Sequence, residues 1–93
     1  MYSEGHELLN NAAAGTSSAK TITGGHYMFM CEATWGGGNI KLQIQYPGGT
    51  WVDVASSTIS ANGMLPFFLP PSSVRAVATT STANYARLVR IPY

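Results

Sequence analysis

Asn39-Ile40-Lys41-Leu42-Gln43-Ile44-Gln45-Tyr46 decides the fold class. Ile40, Leu42, Ile44 and Tyr46 fall on one side of an extended chain, and Lys41, Gln43 and Gln45 on the other. Strict alternation with one polar face marks a half-buried antiparallel strand. Pro47-Gly48-Gly49 then supplies a turn, and Thr50 to Ala55 resumes the alternation with Val52 and Val54 inward and Trp51 and Asp53 outward.

The same rhythm extends in both directions. Upstream, Ala19 to Thr23 is a short strand closed by Gly24-Gly25, and His26 to Trp35 is the longest, closed by Gly36-Gly37-Gly38. Downstream, Ser56 to Ala61 pairs weakly before Asn62-Gly63, a tight-turn signal. Met64 to Leu69, Val74 to Thr79 and Asn84 to Ile91 follow, with Pro70-Pro71-Ser72 as a corner. About eight short strands with tight turns predict an all-β domain over residues 19–93, a compact antiparallel β-sandwich or jelly roll. Periodicity leaves the strand order open.

Residues 1–18 read differently. Glu4 to Ala14 fits about three helical turns, with Leu8, Leu9, Ala12 and Ala13 on one side and Gly15 as the stop. A helix that short is marginal alone, so the segment is either a short helix or an extended arm ordered against a neighbour.

Two strands have apolar residues on both faces. In His26 to Trp35, Tyr27, Phe29, Cys31, Ala33 and Trp35 share one face, while Met28 and Met30 lie on the other. Met64 to Leu69 is apolar on both sides, Leu65 and Phe67 included. A small sandwich has one inner face per sheet, so the second apolar face needs cover. Either the N-terminal segment folds over it or a subunit interface does, with methionines as adaptable contacts. The candidate interface residues are Leu8, Leu9, Met28, Met30, Leu65, Phe67 and Trp51.

Composition narrows the function. Charged residues are 10% of the 93 and hydrophobic ones 45%, against roughly 25% charged in ordinary soluble domains. So little charge offers little repulsion against self-association. A formal net charge of +1, with its basic residues scattered, gives no footprint for nucleic acid or a membrane surface. The longest apolar stretch carries Pro66 and is too short to span a bilayer. The opening residues lack the pattern of a secretion signal, and Cys31 is alone, so cytoplasmic synthesis without an internal disulfide is expected.

Enzyme constellations are not apparent. Asp53 is the sole aspartate, and Glu4 and Glu7 stand in the weakly structured start, a poor platform for acid–base work. His26 and Asp53 could be drawn into a Ser-His-Asp set, but no signature places a nucleophile on a sharp turn. His6 and His26 lack the companions of a metal site. The triple glycine fits no phosphate-binding pattern. No catalytic residue, metal or cofactor is therefore expected. Trp35, Tyr46, Trp51 and Tyr85 could form a sugar-stacking platform, with Trp51 its best member, which keeps a carbohydrate-binding module as the alternative.

Several segments, taken together, resemble small virion proteins of tailed bacteriophages. They are Gly24-Gly25-His26-Tyr27, Ala33-Thr34-Trp35-Gly36-Gly37-Gly38, Lys41-Leu42-Gln43 and Gly49-Thr50-Trp51-Val52-Asp53-Val54. Ala61-Asn62-Gly63, Leu69-Pro70-Pro71, Val74-Arg75-Ala76 and Tyr85-Ala86-Arg87-Leu88 continue the likeness, which covers roughly residues 20–93. The resemblance implies a non-enzymatic role, as a capsid decoration (cement) protein or a head or tail fibre component. The implied partners are the major capsid protein and neighbouring copies of the chain itself, and the implied location is the capsid exterior.

Overall fold

The computed structural model describes residues 5–90. They form nine strands and no helix: β1 (Gly5–Ala12), β2 (Gly15–Thr16), β3 (Lys20–Ile22), β4 (Gly25–Thr34), β5 (Asn39–Gln45), β6 (Trp51–Asp53), β7 (Gly63–Leu69), β8 (Ser72–Thr79) and β9 (Thr82–Arg90). Sheet A has the order β1-β9-β4-β7, and sheet B the order β2-β8-β5-β6 with β3 also on β8. Every pairing between strands is antiparallel. β2 and β3 act as one interrupted strand along β8. Counted so, successive strands switch sheets at each connection except the β5–β6 hairpin. That connectivity is a jelly roll.

The expected strands from residue 19 onward are present with small shifts, except Ser56 to Ala61. There only Ile59 bridges, to Ile40. The larger correction concerns the N-terminus. Gly5–Ala12 is neither a helix nor a detached arm but an edge strand on β9. Its register shifts between Glu7 and Leu9, a bulge that sets two residues against one. Both Leu8 and Leu9 are buried there, and long-range pairing has overridden a weak helical preference. Residues 1–4 and Ile91 lie outside the described residues.

The core lies between the sheets. Sheet A contributes Tyr27, Phe29, Cys31, Leu69, Ala86 and Leu88, and sheet B contributes Ile22, Ile40, Leu42, Val74, Ala76 and Ala78. Large rings on β4 and small side chains on β8 together fill the interior. Tyr27 is wholly buried, and its hydroxyl accepts a hydrogen bond from Gly24 N at 3.1 Å.

Buried backbone groups that lack a strand neighbour are met by side chains. Beside the gap between β2 and β3, Ser17 Oγ accepts from Ala76 N at 2.9 Å, and Ser17 N donates to Ala76 O at 2.8 Å. Beyond β6, Ser57 Oγ accepts from Leu42 N at 3.1 Å and donates to Leu42 O at 3.2 Å. Ala76 and Leu42 face each other in the β5–β8 ladder. Two serines thus stand in for missing strand on either side of one row of sheet B. Asn84 does similar work between β1 and the β8–β9 turn. Its amide donates to Ala12 O at 2.9 Å and Ser81 O at 3.1 Å, and its carbonyl accepts from Ser81 Oγ at 2.6 Å.

Candidate interaction face

Register alone fixes what the outer face of sheet A displays. Tyr27, Phe29 and Cys31 point inward, so His26, Met28, Met30 and Glu32 point outward from β4. The β4–β7 pairing places Met30 beside Met64, Met28 beside Pro66 and His26 beside Phe68. On the other flank β9 brings Val89 beside Met28, Arg87 beside Met30 and Tyr85 beside Glu32. The result is a largely apolar surface, with Glu32 and Arg87 among its apolar side chains. Phe68 is 78% exposed, Met64 58%, Met30 42% and Tyr85 41%.

Phe68 is held against the His26 ring, with centroids 4.6 Å apart at 62°, an edge-to-face contact. Met30, Met64, Tyr85, Glu32 and Arg87 line a shallow groove of about 440 Å³. Charge gathers toward β1 and β9, where Arg87 Nη2 and Glu7 Oε2 lie 3.4 Å apart, both exposed.

The outer face of sheet B is polar and satisfies itself. Lys41 Nζ lies 3.1 Å from Asp53 Oδ2, Gln43 Nε2 donates to Asp53 Oδ1 at 2.8 Å, and Arg75 Nε donates to Gln43 Oε1 at 2.7 Å. The Arg75 guanidinium carbon sits 4.3 Å from the Trp51 ring centroid, a cation–π contact. Hydrogen bonds from Gln43 and then Lys41 hold the Asp53 carboxyl below its ordinary range.

The sheet edges are blunted by their geometry as well as by Glu7, Lys20 and Asp53. β1 is bulged, β7 loses a donor at Pro66, β6 has three residues, and β2 and β3 have two and three. Bulges, prolines and short strands are the usual devices against edge-to-edge pairing. Strand addition at these edges is thereby disfavoured.

The candidate residues are divided by this geometry. Met28 and Met30 lie on the outer face of sheet A as expected. Leu65 and Phe67 do not: they pair with Phe29 and Tyr27 and pack against the core. Leu8 and Leu9 are core residues as well, and Trp51 belongs to the opposite sheet face. The members of the face that sequence reading missed are Met64, Pro66, Phe68, Tyr85 and Val89. Alternation could have found the β7 set only if the inward parity of residues 64–69 were known. Because Gly5–Ala12 extends sheet A sideways, the described N-terminal residues do not fold over its face.

The aromatic platform is not assembled. Tyr85 is on sheet A, Trp51 is on sheet B beneath Arg75, and Tyr46 is at the β5–β6 turn. Trp35 packs against the core and donates from Nε1 to Asn62 Oδ1 at 2.9 Å. The same oxygen accepts from Ala33 N at 3.3 Å, beside the irregularity in β4 between Glu32 and Thr34. Asn62 therefore ties the entry of β7 to the end of β4.

His26 and Asp53 lie on opposite outer faces, so they do not form a Ser-His-Asp set. Among the described residues no group of three or more His, Cys, Asp or Glu could hold a metal ion. Burial pushes the Cys31 thiol up to about 12, which makes it a small hydrophobe rather than a nucleophile. Compared with known proteins, the chain matches no family model and no curated protein.

Proposed function

We propose that this chain is a non-enzymatic structural protein of a virus particle, a capsid decoration (cement) subunit on the shell exterior. The observation that carries the reading is the contrast between the two outer faces. Sheet B closes its polar groups on one another, while sheet A leaves Phe68, Met64 and Met30 to water. A domain this small gains little from such exposure unless an assembly covers it. The blunted edges suit a subunit that must pack without slipping into open-ended strand pairing. The jelly roll is a recurrent architecture of viral capsid domains, although fold alone does not assign function. The likeness of residues 20–93 to small virion proteins of tailed bacteriophages adds to it.

Quantitative mass spectrometry of purified particles tests the proposal, with this chain counted against the major capsid protein. Comparable copy numbers are expected. A few copies per particle would move the protein to a fibre or tail, and absence from particles would overturn the virion reading.

A further inference from the structure

We propose that the partner covering the outer face of sheet A is a second copy of the same chain, packed face to face about a two-fold axis. The side chains on this face are those that protein interfaces favour. Phe68, Tyr85, Met28, Met30, Met64 and Arg87 are of the aromatic, methionine and arginine types enriched at such contacts. A membrane surface fits less well, because Arg87 is matched on this face by Glu7 and Glu32.

Size agrees. Four strands at roughly 4.8 Å spacing and about eight residues at roughly 3.3 Å rise give a face of roughly 20 by 25 Å. Two such faces in contact bury on the order of 1,000 Å² in total, the lower bound for specific association. Stacked sheets pack about 10 Å apart, a distance that methionine and phenylalanine side chains span from both sides.

Charge agrees too. The face carries both signs, and Glu32 is exposed and has no ion pair among the described residues. A two-fold placed between Glu32 and Arg87 sets each carboxylate toward the guanidinium of the other copy, which Glu7 of that copy shares. With a formal charge of only +1 per chain, little long-range repulsion opposes the encounter. A two-fold contact needs only one kind of patch, used twice. The dimer then displays two identical sets of turns, enough to bridge two shell subunits. That last role rests on the proposed function; the dimer itself does not.

Sedimentation velocity on the full chain, from low to high micromolar concentration, tests the dimer. The expected result is a species of twice the 9.9 kDa chain mass. Met30→Glu with Met64→Glu, both at exposed positions, should weaken it at least ~100-fold, since like charges then oppose each other across an apolar contact. Far-UV circular dichroism should be unchanged. Gln45→Glu, on sheet B, should leave the dimer intact. A wild-type monomer at every concentration overturns the inference, as does a dimer that survives the double substitution. A monomer whose Met30 and Met64 resist peroxide only on particles also overturns it, and assigns the face to a shell protein. A dimer absent from particles would instead refute the proposed function and leave this inference standing.

Discussion

Ser57→Ala tests whether a hydroxyl substitutes for a missing strand. Ser57 is 2% exposed and Leu42 is fully buried, so water has little access to either. The substitution removes the acceptor of Leu42 N, whereas Leu42 O keeps its bond from Val54 N at 2.9 Å. One buried donor is therefore orphaned, and no cavity larger than an oxygen atom is made. Leaving such a donor unpaired costs about 1–3 kcal/mol, so about 2 kcal/mol is expected. For a domain of this size that lowers Tm by roughly 8–16 °C. Urea and thermal unfolding followed by tryptophan fluorescence give the free energy, and hydrogen exchange at the Leu42 amide gives the location. Ser17→Ala is the comparison. Ala76 is as fully buried as Leu42, but Ser17 is itself only half-buried, so water entering where its hydroxyl was can meet the Ala76 amide, and the loss should be about 1 kcal/mol or less. An unchanged midpoint in Ser57→Ala, or equal losses in the two variants, would refute the reasoning.

Gly38 is pressed against the β8–β9 turn, and a Cβ there would overlap Thr79 O and Ser81 N. Gly38→Ala should cost several kcal/mol or prevent folding, while Gly48→Ala, with open space around it, should be nearly neutral in the same melt. Asp53 should titrate below the ordinary carboxylate range by NMR, and Gln43→Ala should move it back up. Because the folded-state pKa is lowered, any stabilisation it gives is present above the unfolded value and is lost as pH falls through the lowered one. Cys31 should react very slowly with a thiol reagent at pH 8 in the folded protein and rapidly in denaturant. Fast native reaction would contradict its burial.

The residues from Asn39 to Tyr46 were enough to specify an all-β chain, because a period of two can bury only one side of an extended backbone. The same logic marked Met28 and Met30 as outward apolar residues, and the glycine and proline breaks located most strands. Local pattern stopped at the run from Met64 to Leu69. Both of its faces are apolar, so the choice between Leu65 and Phe67 or Met64 and Phe68 as the exposed pair was made by pairing with β4. Leu8 and Leu9 show the same dependence: a bulge against β9 turned a weak helical signal into core. Strand order, the separation of Trp51 from Tyr85, and the work of Ser17, Ser57 and Asn84 were likewise decided in three dimensions. The three side chains act on partners 15 to 72 residues away in the chain, and tertiary contacts at such separations leave no period in the sequence.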